Sequence, residues 1–296
     1  MKKKFPLVLL IFIGFTFSLN SQKIERKTRK RVYLKISDYK KKYPNKPIEF
    51  VKGNYQIFEN DTLILIDNEE FLNRISVPYE EKDSTFLEIY KDVVYMKYIK
   101  PQAKFKTKMK LWKDEIKIFF PKKTDKKIKK SLIKFSKTLS KEVDSLKISV
   151  VKNIEDSNYI IYQLDDKNNF KYEPKIKDSI IGYYTYWNNK GELNNCRLQI
   201  DLRKYKSLDK AIELAKNNFF RSLGYFSSTR LLDKEALLSY KYASNKKITE
   251  IDLEILKYHY SYGICKFTDL KTFEENHKRA KATLKKGHKA MFSHHY

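Results

Sequence analysis

Residues 115–260 switch repeatedly between strand-like and helix-like spacing of their apolar side chains, and this alternation constrains the fold more than any other feature. Runs rich in β-branched and aromatic residues predict strands at 115–120, 147–151, 157–164, 178–187 and 196–202. Helical spacing predicts helices at 124–143, 207–223 and 249–260. The order strand, helix, four strands, helix, loop, helix predicts an α/β (α+β) layer fold.

Capping residues mark the ends of these predicted helices. Thr124 is a candidate N-cap for the first helix, and Ser207 is one for the second. Gly224 stands where a helix commonly stops. Thr249 and Asp252 have the spacing of a capping box at the start of the third helix. The ends of all three helices are therefore predicted from local sequence.

The N-terminus has the pattern of a secretory signal peptide. Three lysines at 2–4 precede the apolar run 5–18, and a polar, basic run follows. The apolar run is shorter than the roughly 20 residues that a spanning helix needs, and no other run reaches that length. We interpret residues 1–21 as a signal peptide cleaved after Ser21, with an uncleaved membrane anchor as the alternative. The mature protein is expected to be secreted or periplasmic, without a transmembrane span.

The remaining chain is expected to form three parts. Residues 22–105 are predicted to be a small β-rich unit, with strands at 55–60, 61–67, 84–92 and 93–100. Residues 106–265 carry the alternating pattern described above. Residues 266–296 hold eight Lys or Arg against three acids and are predicted to be a basic C-terminal tail helix. All five histidines lie late in the chain: His259 is expected in the last turn of a helix, partly charged, and His294 and His295 at a solvated, frayed end.

The basic charge is carried mainly by lysine. The formal net charge is +27, and 54 of the 63 basic residues are Lys. Proteins that bind phosphate groups specifically favour Arg, whose planar guanidinium donates two hydrogen bonds at once. This composition therefore favours a solvated Lys surface over a specific nucleic-acid partner. An anionic partner remains the alternative, because even a diffuse positive surface attracts polyanions at low salt.

The two cysteines are candidates for a disulfide. Cys196 and Cys265 are predicted to be bonded if the protein is exported, because an oxidising compartment favours pairing. The alternative is two buried thiols that behave as small hydrophobic side chains.

The segment 217–227, NNFFRSLGYFS, and the elements around it resemble the catalytic domain of metzincin zinc peptidases of the matrixin type. Those enzymes place a strand, a helix and several strands before a helix that bears H-E-x-x-H-x-x-G-x-x-H, followed by a Met-turn and a capped helix. Gly224 falls at the glycine of that motif, and Leu238 falls at the Met of the turn. The segment 248–260 resembles the final capped helix. The resemblance covers 106–265 and is nearest to bacterial metzincin-like proteins that have lost the histidines.

The positions that would bind zinc hold the wrong side chains. Asn217, Arg221 and Ser227 replace the three histidines, and Asn218 replaces the general base. Zinc needs imidazole, thiolate or carboxylate ligands, and a guanidinium repels it. The resemblance therefore implies a scaffold without catalytic zinc, and no cofactor is predicted. We expect that Arg221 either faces a cleft open to water or pairs with a carboxylate from another segment, for which Glu235, Asp252 and Glu254 are the candidates.

The aromatic segment 182–187 is a candidate ligand-binding edge, carried by Tyr183, Tyr184, Tyr186 and Trp187. A strand buried on one face is the alternative explanation. Three functions stay open. The protein is a non-catalytic binding protein whose cleft holds a peptide or envelope ligand, a hydrolase with a non-standard site, or an electrostatic adaptor for anionic polymer or lipid headgroups. The first is preferred, because no nucleophile–base pair, G-x-S-x-G motif or P-loop is evident.

Overall fold

The computed structural model describes residues 32–45, 47–48, 55–58, 61–66, 74–98, 107–176, 181–204 and 207–295. The chain divides into two compact units, Met1–Asn73 and Arg74–Tyr296, and each is described here by itself. The predicted signal peptide lies outside the described residues. In the part of the chain that the structure describes, no helix is long and apolar enough to cross a membrane.

The first unit contains a small antiparallel sheet. Its elements are β1 (Val32–Lys35), α1 (Ile36–Lys42), β2 (Tyr55–Phe58) and β3 (Asp61–Ile66). The strand β3 lies between the other two and pairs antiparallel with both. The predicted strands at 55–60 and 61–67 are therefore confirmed within a residue or two.

The second unit begins with β4 (Arg74–Pro78) and α2 (Ser84–Tyr95), so the predicted boundary near residue 105 differs from the observed division after residue 73. The strands predicted at 84–92 and 93–100 are wrong. Asp83 caps α2 by accepting a hydrogen bond from the Phe86 backbone N–H at 2.9 Å. The aromatic residues, Ile89, Val93 and Val94 of this helix are buried, with Tyr90 against Tyr258 at 4.9 Å between ring centroids. Tertiary burial here overrides a composition that favours strands.

A six-stranded, mostly parallel sheet forms the centre of the second unit. Its elements, with the helix between the second and third strands, are β5 (Leu111–Trp112), β6 (Ile116–Phe119), α3 (Lys126–Glu142), β7 (Ile148–Val150), β8 (Tyr159–Leu164), β9 (Ile181–Trp187) and β10 (Glu192–Asp201). The strand β10 pairs parallel with β5 and β8, and β8, β6 and β7 continue the sheet in that order. This mixed sheet with small antiparallel sheets confirms the predicted α/β (α+β) class.

The strand β9 is antiparallel and lies at an edge of this sheet. It forms a hairpin with β10, and no other described strand pairs with it. Gly191 closes the hairpin turn with a φ of 91°, a conformation that favours glycine. The N–H of Gly191 donates to the carbonyl of Asn188 at 2.9 Å. One backbone edge of β9 is thus left without a partner strand among the described residues.

Four more elements complete the second unit: α4 (Leu208–Ser222), α5 (Glu250–Tyr260), α6 (Leu270–Lys285) and β11 (Met291–His295). Ser207 caps α4, and Thr249 with Asp252 forms a capping box at α5, as predicted. Helix α3 is capped by Asp125 rather than by Thr124, because the Asp125 carboxylate accepts from two backbone N–H groups of the first turn.

The C-terminal segment is an ordered part of the second unit. The strand β11 pairs antiparallel with β4, and Phe273 of α6 joins the main hydrophobic core. His294 Nε2 donates to the Tyr262 carbonyl at 2.6 Å, so the expectation of a frayed, solvated end at this residue is wrong. Pairing with a strand more than 200 positions earlier cannot be predicted from local sequence patterns.

Candidate binding site

Helix α4 places the metzincin-like positions beside the central sheet. Its buried face, including Ala215 and Phe219, packs into the core, while Asn217, Asn218 and Arg221 are half-buried on its other sides. Two hydrogen bonds hold the C-terminal end of this helix. The Trp112 indole N–H donates to the carbonyl of residue 222 at 3.2 Å, and the Tyr260 hydroxyl donates to the carbonyl of residue 223 at 2.7 Å. The site helix is therefore held at its C-terminal end by the sheet and by α5.

Gly224 is needed for space rather than for backbone freedom. A Cβ at this position would lie 2.3 Å from the buried Phe226 ring and 2.9 Å from His259 Nε2. The residue with a left-handed backbone is Tyr225, at a φ of 54°. The turn after α4 therefore differs from a glycine-terminated helix end, although the helix stops where Gly224 predicts.

His259 is a buried, neutral side chain directly beneath this turn. Its Nε2 donates to the Lys110 carbonyl at 2.8 Å, and its Nδ1 lies 3.1 Å from the Tyr90 hydroxyl. Burial lowers the pKa of His259 to about 3. The expected partly charged imidazole at a helix end is thus wrong, because the ring faces the core instead of the solvent.

The loop at 236–239, which contains the Met-turn-like position, is held by side chains from both neighbouring helices. The Asp252 carboxylate accepts from the backbone N–H groups of Leu237 at 2.9 Å and Leu238 at 3.1 Å. The side-chain amide of Asn217 donates to the Leu237 carbonyl. Lys246 Nζ donates to the carbonyls of residues 236 and 239. Hydrogen bonds therefore fix this loop against α4 and α5.

Arg221 has no carboxylate partner among the described residues. Its Nε donates to the Phe226 carbonyl at 3.0 Å, and the Phe226 N–H donates back to the Arg221 carbonyl at 2.8 Å. The three predicted partners are engaged elsewhere: Glu235 lies near Lys234, Asp252 binds the loop, and Glu254 pairs with Lys82. The expectation of a carboxylate partner for Arg221 is wrong, because a backbone carbonyl takes that place.

Asn218 and Ser227 are also hydrogen-bonded to backbone carbonyls. Asn218 Nδ2 donates to the Leu214 carbonyl of its own helix at 2.9 Å. Ser227 is buried; its N–H donates to the Val93 carbonyl at 2.8 Å, and its hydroxyl donates to the Ser228 carbonyl at 3.4 Å. Within the described ranges, no group of three or more His, Cys, Asp or Glu side chains is arranged to hold a metal ion.

The edge strand β9 carries aromatic side chains on both faces. Tyr184 and Tyr186 flank Lys175, whose Nζ lies 5.0 Å from each ring centroid, and the Tyr186 hydroxyl donates to Glu173 at 2.6 Å. This hydrogen bond is the main reason that the pKa of Tyr186 is raised. Trp187 remains 43% exposed. The face with Tyr184 and Tyr186 therefore combines aromatic rings with one close cation.

The opposite face of β9 carries Tyr183 and Trp187 and meets the turn after α4. Trp187 packs against Tyr225 with 5.1 Å between ring centroids. Lys110 Nζ lies 4.7 Å from the Trp187 ring and 5.0 Å from the Tyr225 ring. We call Tyr183, Trp187 and Tyr225 the aromatic edge. Sequence reasoning missed Tyr225 and Lys110, whose roles depend on contacts between distant segments.

The predicted disulfide is absent, since both cysteines are free. Cys196 is fully buried in β10, in hydrogen-bonding range of Tyr159 and Ser222, and burial raises its pKa to about 12. Cys265 is half-buried in the segment between α5 and α6, beside Arg279. The two side chains enter different packing environments, so the disulfide prediction is wrong and the alternative of separate thiols describes the structure.

No known protein family matches the sequence, and a search of curated proteins finds no significant similarity.

Proposed function

We propose that this protein is an exported, non-catalytic binding protein on a degenerate metzincin-like scaffold, and that it binds an extended peptide along β9. The described order of strand, helix, strands, site helix, loop and capped helix supports the scaffold. Strand addition to an open sheet edge is a common way to bind peptides, because the backbone hydrogen bonds do not depend on peptide sequence.

The side chains at four positions support the absence of catalysis. Asn217, Arg221 and Ser227 donate hydrogen bonds to backbone carbonyls, whereas zinc ligands must offer lone pairs. Asn218 offers no carboxylate to activate water and is bonded to its own helix. These contacts support a structural use of the positions that carry zinc chemistry in the enzymes.

The observation that carries the binding proposal is the backbone edge of β9, unpaired among the described residues and flanked by exposed aromatic rings. Bare edges are normally protected, because they invite pairing with other chains. Here Trp187 and Tyr186 would cover an added strand with large rings on both faces.

The purified protein is first tested for retention on an immobilised random library of ten-residue peptides. Its hydrogen–deuterium exchange is then measured with the peptides that retain it. These peptides are expected to slow exchange at 181–187, and Trp187→Ala is expected to weaken retention. Ile57→Ala, which removes a side chain 74% exposed in β2, is the matched control. Retention without protection of 181–187 would contradict the proposal. Export is tested separately by the mass of the mature chain, which is expected to begin at Gln22.

A second candidate function, the electrostatic adaptor, is favoured by one surface. Five exposed lysines of α3 form its lysine face: Lys126, Lys129, Lys130, Lys134 and Lys137. None of them makes an ion pair within the described residues, although the neighbouring Lys127 pairs with Asp209 at 2.6 Å. Such a face attracts anionic polymers or lipid headgroups.

The two functions differ in their salt dependence. Binding to phosphatidylserine vesicles or polyglutamate that disappears at about 0.3 M salt, and that falls in Lys130→Gln/Lys134→Gln, supports the adaptor. Peptide binding that persists at that salt supports the β9 site. Turnover of a casein substrate by protein free of other proteases would instead support a hydrolase with a non-standard site.

A further inference from the structure

Helix α3 carries seven lysines and a single acid over its 17 residues. The acid, Glu142, pairs with Lys257 of α5 at 2.8 Å, so it does not neutralise a lysine of its own helix. Lys127 pairs with Asp209 at 2.6 Å. The five lysines of the lysine face defined above have no carboxylate within ion-pair distance in the described parts of the chain. The charge of this face is therefore open to a partner from outside.

The lysine face is a row along one side of α3. Its members recur at intervals of three and four residues, which places them on one side of the helix over successive turns. From Lys126 to Lys137 the row extends about 16 Å along the helix axis. The side chains of Ile128, Leu132 and Leu139 are buried and hold the opposite side of the helix in the core. The lysines thus form a line of positive charge on a helix whose orientation is fixed by packing.

This arrangement of charges is unfavourable for the protein alone. Like charges three or four residues apart repel one another and destabilise a helix, and lysines in the first turn oppose the positive end of the helix dipole. Lys126 and Lys129 lie in the first turn, where the carboxylate of the N-cap Asp125 already accepts hydrogen bonds from two backbone N–H groups. A chain of negative charges beside the row would relieve both the repulsion between the lysines and their conflict with the dipole.

The lysines border an open groove whose lining suits a ligand that offers mainly charge. The groove has a volume of about 570 Å³ and is lined by the lysine face and by Ile133. This lining contains no Arg for bidentate contacts and no aromatic ring on which a base could stack. A ligand in the groove therefore meets ammonium groups, which attract negative charge without fixing the geometry of the group that carries it.

A lipid surface fits this face less well than a polymer chain does. Helices that bind at a membrane surface insert large apolar side chains among the lipid headgroups. In α3 all the large apolar side chains are buried or half-buried. A flexible chain needs no inserted side chain, because several lysines of the row can contact its charges at once.

We propose that the lysine face binds one flexible linear polyanion, which lies along α3 and is recognised by its charge density rather than by its sequence or backbone chemistry. This inference rests on the second candidate function, the electrostatic adaptor, and does not depend on the β9 site. It adds the kind of anionic partner, which is a polymer chain and not a lipid surface, and the number of lysines that contact it.

The first experiment measures binding of the wild-type protein to inorganic polyphosphate of about 50 phosphates, to triphosphate, to polyglutamate and to phosphatidylserine vesicles. At about 0.1 M salt, polyphosphate is expected to bind at least about 100-fold more tightly than triphosphate, which is too short to contact the whole row. The logarithm of its association constant is expected to fall with the logarithm of the salt concentration at a slope of about −3.5, from five contacts at about −0.7 each. Polyglutamate is expected to bind with a similar slope, and vesicles more weakly than either polymer.

The second experiment removes two charges from the row. Lys130→Gln/Lys134→Gln is expected to weaken polyphosphate binding at least about tenfold and to make the salt slope less steep by about 1.4. The matched control is Lys278→Gln/Lys285→Gln, which removes two exposed lysines from α6 and is expected to change the affinity by about twofold or less. Without polymer, at about 0.01 M salt, the α3 variant is expected to melt at a higher temperature than the wild type, because repulsion along the row is reduced.

Several results would overturn the inference. An equal loss of affinity in the α6 control would show that general surface charge causes the binding. Tighter binding of vesicles than of either polymer would refute the polymer and leave the adaptor function standing, and so would binding of polyphosphate without polyglutamate, which would show recognition of phosphate itself. A lower melting temperature of the α3 variant would show that contacts within the fold already compensate these lysines. Binding of neither polymers nor vesicles would refute the adaptor function and this inference together.

Discussion

Replacing Asp252 by Asn tests whether one carboxylate holds the loop at 236–239 in place. Asp252 is fully buried, and one of its oxygens accepts from Leu237 and Thr249 while the other accepts from the Leu238 N–H at 3.1 Å. An Asn side chain keeps one acceptor and turns an NH2 group toward at least one N–H donor. The change therefore leaves a donor unsatisfied and removes the charge from the remaining hydrogen bonds.

The magnitude follows from these contacts. An unsatisfied buried donor costs about 1–3 kcal/mol, and each hydrogen bond that loses a charged partner weakens by roughly 1 kcal/mol. With at most three surviving bonds, the free energy of unfolding is expected to fall by about 3–5 kcal/mol. For a unit of this size that corresponds to a melting temperature lower by roughly 6–20 °C.

Differential scanning calorimetry and urea unfolding measure this change directly. Asp166→Asn, at an exposed position, is the control and is expected to change the melting temperature by about 1 °C or less. Hydrogen exchange at 236–239 is expected to become faster in Asp252→Asn. A variant with the wild-type melting temperature would refute the role assigned to this carboxylate.

Four further predictions follow from the site and its surroundings. Gly224→Ala is expected to destabilise by about 1–3 kcal/mol, measured by urea unfolding, because its methyl group would overlap the buried Phe226 ring; an unchanged midpoint would contradict this. Because the pKa of His259 is lowered to about 3 from 6.5, its contribution to stability is present above about pH 6.5 and is lost as the pH falls toward 3. Unfolding midpoints across that range measure the loss, and His259→Gln should flatten it. Cys265 is expected to react with iodoacetamide in the native protein, and Cys196 only after unfolding; a bonded pair would block both. Elemental analysis is expected to find far less than one zinc per chain when the two terminal histidines are replaced by Gln, and near-stoichiometric zinc would refute the non-catalytic reading.

Local chemistry explains which elements could be predicted from the sequence. Ser207 and the pair Thr249 and Asp252 are capping residues whose effect extends over one helical turn, so α4 and α5 begin where the sequence indicates. The helix α2 was missed because its aromatic and β-branched residues are typical of strands. Its helical state depends on burial against Tyr258 and Phe273, which follow it by more than 150 residues.

Long-range contacts explain which parts of the candidate site could not be predicted. The spacing from Gly224 identifies Asn217 and Arg221, but it does not show that the turn after α4 gives Arg221 the Phe226 carbonyl or that the loop gives Asn217 the Leu237 carbonyl. Lys110 becomes a candidate only when β5 and β9 bring it to Trp187. The disulfide prediction is wrong for the same reason, because the number of residues between Cys196 and Cys265 does not show whether their side chains point toward each other.

On the proposed scaffold, the site helix donates hydrogen bonds at positions where a zinc site would accept them. A zinc site presents lone pairs and is stabilised by a cation that enters from solvent. On the proposed scaffold, Asn217 and Arg221 present N–H groups instead, and backbone carbonyls satisfy some of them. Those carbonyls carry no net charge, and burial lowers the pKa of Lys246 although the nearby Asp252 carboxylate raises it. Donors in place of lone pairs do not suit a bound cation, which is the chemical reason for expecting far less than one zinc per chain.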